Sequence, residues 1–184
     1  MNCNRARDSI ATRIRVGYSG PPIKAVPNMN EALSKRLRQT TFSSPVQEAA
    51  LSLLLAANRL NESVEIVCAA RGITRPQYNV LRILRGAHPQ GHPRCEIANR
   101  MLERAPDVTR LIDRLQSHGL VRRLRAEQDH RQSIACITPQ GLKLLEIMQP
   151  EVDALVEECF CRLEMTDCDQ LSRICALIFA VGES

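Results

Sequence analysis

MLERAPDVTRLIDRLQSHGLVRRLRAEQDHRQSIACITP, residues 101–139, is the stretch whose reading decides the fold. Val108, Leu111, Ile112 and Leu115 recur at i, i+3, i+4 and i+7, one apolar stripe at helical period. The spacing predicts a helix over 106–117, with Pro106 in the first turn, where its missing N–H costs nothing. Gly119 supplies the stop. The other face carries Asp107, Thr109, Arg110, Asp113, Arg114 and Ser117. Beyond Gly119 the period becomes two. Leu120, Arg122 and Leu124 alternate with Val121, Arg123 and Arg125; a polar AEQDHRQ turn leads to Ile134 and Cys136 alternating with Ser133, Ala135 and Ile137. A helix with a polar front beside a basic-tipped hairpin is the layout of a winged helix-turn-helix, in which the helix enters a major groove and the hairpin touches the backbone. Alone, the helix reads equally well as a surface helix with solvated charges; the hairpin beside it favours DNA.

Upstream, Arg94 to Leu102 reads as a short helix with Ile97, Ala98, Met101 and Leu102 inward. Before it, HPQGHPRC (88–95) is a turn rich in Pro and Gly, and its His88, His92 and Cys95 match no closed zinc pattern, so a solvated loop is expected and no metal. Thr74 to Ala87 is a helix opened by a capping box, Thr74 with Gln77, with Tyr78, Val80, Leu81 and Leu84 inward. Ser44 caps and Pro45 starts a long helix to about Ala70, which Gly72 ends. Its aliphatic stripe, from Val46 through Leu54 to Val67, exceeds what a small domain needs for its own core. Downstream, Thr138 and Pro139 open a second long helix with Pro150 inside, and Thr166 caps a last helix whose apolar face is Leu171, Ile174, Cys175, Ile178 and Phe179. A two-fold dimer is the simplest way to bury so much aliphatic surface.

The expected fold is therefore mainly α with a small β-hairpin wing. Residues 73–138 form a winged helix-turn-helix, while 45–72 and 139–182 form dimerisation helices. Residues 1–44 are broken by Gly and Pro, with a short helix possible over 29–38 from a cap at Asn30. They read either as a basic arm adding phosphate contacts or as a leader without a role.

Charge supports a polyanion partner. Residues 71–143 hold 14 basic and 6 acidic side chains, and 13 of the basic ones are Arg, whose forked donors fit phosphates and guanine edges. Residues 144–184 hold 2 basic and 9 acidic, so a basic middle stands against an acidic end. The 184 residues contain no Trp and no uncharged apolar run near membrane-spanning length, and the N-terminus lacks an apolar signal region, so a cytoplasmic protein is expected. Eight scattered cysteines without a C-x-x-C pair read as reduced thiols. An enzyme is disfavoured, because no Ser–His–Asp set, phosphate-cradling Gly loop or H-E-x-x-H motif is present. No cofactor is implied.

At this point the sequence resembles the MarR family of bacterial winged-helix regulators, over roughly Val46 to Val181. The most specific segments are VTRLIDRLQSHGLVRR (108–123) and DHRQSIACITPQG (129–141). The family's wing pattern, Asp then Arg two residues on and a strand ending Leu-Thr-x-x-Gly, matches Asp129, Arg131 and Ile137-Thr138-Pro139-Gln140-Gly141, with Ile for Leu. The resemblance implies a homodimer that sets one recognition helix in each of two successive major grooves of a pseudo-palindromic double-stranded operator. It also implies a repressor that releases DNA when a small aromatic effector binds. Other members sense oxidants through a cysteine near the start of the first long helix; here that region is Thr41-Phe42-Ser43-Ser44, so that mode does not transfer.

For DNA contact the candidates are Pro106, Asp107, Thr109, Arg110 and Arg114 on the helix and Arg123, Arg125, His130 and Arg131 on the wing, with Asp129 holding Arg131 in place. Arg110 is the expected base reader. Asp107 either accepts from cytosine or orients Arg110, and Asp113 pairs with a neighbouring Arg. Effector candidates are Tyr78, Arg82, Arg85 and His88, which otherwise simply cover the surface. Of the late cysteines Cys159, Cys161, Cys168 and Cys175, Cys168 sits in the first turn of a helix, where the field favours thiolate; redox or soft-metal sensing and plain packing are both open.

Overall fold

The computed structural model describes residues 34–38, 42–102, 107–125 and 133–180. The chain divides into two compact units, Met1–Leu53 and Leu54–Ser184. In the first, residues 34–37 form a helical turn, the described part of the short helix expected over 29–38. Helix α1, Pro45–Ala70, begins in this unit. Ser44 caps it through the Gln47 N–H at 3.2 Å, and the Gln47 side chain reaches back to the Ser43 N–H at 2.7 Å.

In the second unit α1 ends as expected. Gly72 takes φ 71°, a left-handed value natural to glycine, and the Ile73 N–H returns to the Cys68 carbonyl at 3.1 Å. Helix α2, Arg75–Gly86, starts from the expected Thr74–Gln77 capping box, with Tyr78, Val80, Leu81 and Leu84 buried. Next come β1 (His92–Pro93), α3 (Arg94–Arg100), α4 (Val108–Ser117), β2 (Val121–Arg125) and β3 (Ser133–Ile137). Helix α5, Pro139–Phe160, accommodates Pro150, and α6, Met165–Phe179, closes the series.

The expected hairpin is present: β2 and β3 pair antiparallel from Val121↔Ile137 to Arg125↔Ser133. A third strand was not expected. β1 adds to the far edge of β3 through His92↔Ala135 and Pro93↔Ile134, giving the order β1-β3-β2. Gly91 makes this approach possible, since a Cβ there would overlap the Ala135 carbonyl.

The core is aliphatic. Leu81 and Leu84 of α2, Ile97 of α3, Leu115 of α4, and Leu145 and Met148 of α5 are all fully buried in one cluster. On the wing Val121 goes in, while Leu124 is exposed.

Three inward or capping assignments need correction. Ala98 and Leu102 face solvent, because α3 is only seven residues long and commits one position, Ile97, to the core. Helix α4 begins at Val108, not at Pro106, because Asp107 takes the cap. Helix α6 is capped by Glu164 rather than Thr166. Asp167 accepts the Glu164 N–H at 2.9 Å and completes a capping box two residues earlier than expected.

Candidate nucleic-acid interface

Helix α4 is held from behind by Val108, Ile112 and Leu115, all buried in the core. That fixes Thr109, Arg110, Asp113, Arg114 and Ser117 on the exposed side, as the 3.6-residue period requires. Asp107 meets Arg110 twice. One carboxylate oxygen accepts the Arg110 N–H at 3.0 Å, capping the helix, and the other meets Arg110 Nε at 3.0 Å. The Arg110 side chain is 81% exposed, so the pair aims the guanidinium without burying it.

The wing is strapped to this helix. Arg123 meets Asp113 at 2.6 Å, the pairing with a neighbouring Arg expected for Asp113. Arg123 is thereby occupied in bracing β2 against α4, which weakens it as a phosphate contact. Arg114 is exposed and forms no ion pair among the described residues. At the far end of α4, Gly119 has φ 72° and the Leu120 N–H returns to the Leu115 carbonyl at 2.9 Å. Thr138 then ties the turn to α5. Its hydroxyl donates to the Gly119 carbonyl at 2.7 Å and accepts from the Gly141 N–H at 3.1 Å.

Arg125 is the last residue of β2, its side chain outside what the structure describes. Pro106, Asp129, His130 and Arg131 also lie outside the described residues. One element of the surface escaped the sequence reading. A hollow of about 390 Å³ lies between β1, α3, α4 and the wing, lined by Arg94, Cys95, Thr109, Ile112 and Arg123 among others. The pairing of β1 with β3 brings Arg94 and Cys95 there, and the lone Gly91 was its only trace in the sequence.

None of the four effector candidates lines the 390 Å³ hollow. Tyr78 is buried, and its hydroxyl has no hydrogen-bond partner among the described residues. Burial, opposed by the Arg82 charge, raises its pKa above the usual tyrosine value. Arg82 lies over the Tyr78 ring, 5.9 Å from its centroid. Arg85 points to Gln149 at 3.3 Å, and His88 is exposed. The cysteines divide by exposure. Cys68 and Cys136 are buried, Cys95, Cys159 and Cys161 are exposed, and Cys168 and Cys175 are half-buried. Burial pushes the Cys68 thiol up to about 11 and raises Cys136 as well. Among the described residues no three metal-ligating side chains gather, and no helix is long and apolar enough to cross a membrane.

Comparison with known proteins decides the family. Residues 73–133 match the sequence model of the MarR family. A MarR transcription factor of known crystal structure from Planctomyces limnophilus is 36% identical, with a TM-score of 0.58 over 74% of this chain and 99% of its own. The chain belongs to the MarR family. Its curated relative, the HTH-type transcriptional regulator TtmR of Methylorubrum extorquens (strain PA1), is 28% identical over 141 residues, which is 70% of this chain and 71% of TtmR. Sco3205, a MarR family regulator from Streptomyces coelicolor solved in complex with DNA, shares the fold, with a TM-score of 0.68 and 21% identity over 78% of this chain and 92% of its own. This MarR protein is accordingly a winged-helix transcriptional regulator.

Proposed function

We propose that the chain is a homodimeric repressor that binds a pseudo-palindromic operator and is released from it by a small molecule. The observation that carries this reading is helix α4: three buried apolar residues behind, and Thr109, Arg110 and Arg114 exposed in front. Arg110 reads a guanine edge, aimed by Asp107. Thr109 and Arg114 contact flanking bases or phosphates, and Arg125, His130 and Arg131 of the wing reach the backbone or minor groove, with Asp129 bracing Arg131 and Pro106 leading into the helix.

Residues 73–138 serve as the DNA-binding domain and 45–72 with 139–182 as dimerisation helices, while the basic 1–44 segment adds phosphate contacts. Dimerisation is supported by α6, which buries no residue in the single chain and exposes Leu177, Ile178 and Phe179. Two copies joined there present two α4 helices at half-sites about 10–10.5 base pairs apart. Release by a small aromatic effector is supported by the unpartnered Tyr78 hydroxyl beside the Arg82 and Arg85 charges. The protein acts in the cytoplasm, with DNA as its polymeric partner and no chemistry of its own.

A gel-shift with the DNA upstream of its own gene tests the reading. A discrete complex is expected, its log affinity falling linearly with log salt in proportion to phosphate contacts. Binding no tighter than to unrelated DNA would contradict it.

A further inference from the structure

The exposed side of α4 divides into two strips, and only one of them is left open to a base edge. Thr109 and Asp113, four residues apart, form the strip beside the wing. Asp113 is held by Arg123 of β2, and Thr109 shares the rim of the 390 Å³ hollow with the same Arg123. Arg110, Arg114 and Ser117 form the other strip, at i, i+4 and i+7, and all three are exposed. With about 3.6 residues per turn, this strip lies opposite the buried Val108, Ile112 and Leu115.

The donors of that strip are unspent. Asp107 engages Nε of Arg110 at 3.0 Å, which leaves the two terminal nitrogens of the guanidinium to donate elsewhere. Two parallel donors match O6 and N7 of guanine. Arg114 forms no ion pair among the described residues, so its fork is also available. Ser117 spends its proton on the Arg114 carbonyl at 2.8 Å and adds no donor of its own. The carboxylates of the helix and its cap, Asp113 and Asp107, are both answered by arginines, so neither opposes a polyanion in front.

Spacing then sets the register. Four residues advance an α-helix by about 6 Å, while stacked base pairs rise about 3.4 Å each. A helix lying along the groove holds Arg110 and Arg114 over base pairs about two steps apart. We infer that each operator half-site carries two G·C pairs separated by one base pair, the first read by Arg110 and the second by Arg114. Arg114 is thus a specificity-determining residue, and Asp107 positions Arg110. This deepens the operator reading above and rests on it.

The test is selection of binding sites from a randomised duplex pool by the full chain, followed by affinities for the selected site and its single-pair variants. An inverted repeat is expected, each half carrying the two G·C pairs with one pair between. Replacing either G·C by A·T should weaken binding by about 5- to 150-fold, the worth of one bidentate contact. Arg110→Ala should become indifferent to the base at the first pair and stay sensitive at the second, and Arg114→Ala should show the reverse. Both side chains are exposed, so neither change touches the core. Asp107→Asn keeps a capping oxygen but drops the charge, and should lose discrimination at the first pair alone. A purely structural Asp107 would instead weaken every site equally. A selected motif without the spaced G·C pairs, or an Arg114→Ala variant that weakens all sequences alike as a phosphate contact would, overturns the inference while the operator reading stands. A pool that yields no motif overturns both.

Discussion

Helix α4 and helix α6 are both amphipathic, yet the single chain treats them oppositely. Helix α4 puts Val108, Ile112 and Leu115 into a core shared with α2, α3 and α5. Helix α6 buries nothing, and Leu177 and Phe179 stand 62% and 74% exposed. One apolar face is completed by its own chain and the other is left open. The contrast separates the two jobs. On the proposed function, the recognition unit is packed within each copy, whereas the scaffold that spaces two of them would be completed by association.

The strongest challenge to that contrast is to charge the open face. Leu177→Asp with Ile178→Asp should convert a dimer to a monomer in sedimentation and lower operator affinity by about two orders of magnitude or more, because one half-site is lost. A variant that stays dimeric would mean that α6 is not the interface. The closed face should respond in the opposite sense. Leu115→Ala should cost about 2–5 kcal/mol of folding stability in denaturant melts through the cavity it leaves. Its effect on association should be secondary to the loss of folded protein.

On the polar front of α4 the expected effects are smaller. Arg110→Ala should lose about 1–3 kcal/mol on the cognate operator and relax sequence choice at one position, whereas Arg131→Ala should weaken all sequences evenly. Equal binding by the wild type and both variants would remove these roles.

Smallest are the thiols, which sharpen the comparison by marking which surfaces are closed. At pH 8 iodoacetamide should modify Cys95, Cys159 and Cys161 in the native protein and leave Cys68 and Cys136 untouched. The same burial has a pH signature. The folded state keeps the Cys68 proton to about pH 11, against 9.0 for an ordinary thiol, so the unfolded chain ionises first. Stability should therefore fall as pH climbs from 9 toward about 11, and Cys68→Val should flatten that part of the curve.

Much of this was legible in the residues, because helical period and turn chemistry act locally. The α4 stripe, the alternation of β2 and β3, the Thr74–Gln77 box and the Ser44 and Thr138 caps all follow from neighbours within a few positions. The misses share the opposite property. β1 is two residues long and contains a proline, so no alternation marks it; only pairing with β3, some forty positions downstream, makes it a strand. The start of α4 differs because Pro106 and Asp107 both suit a helix entrance, and the hydrogen bond and ion pair of Asp107 with Arg110 decide between them. The cap of α6 went the same way, to a Glu that ranks below Thr by type but is answered by Asp167.

The central claim is that two copies hold two α4 helices one duplex turn apart. Hydroxyl-radical footprinting of the protein on its operator tests it most directly. The account predicts two protected patches related by a dyad, centred about 10–10.5 base pairs apart, both lost in the α6 double variant and both weakened in Arg110→Ala. A single patch, or protection that survives charging of α6, would contradict it.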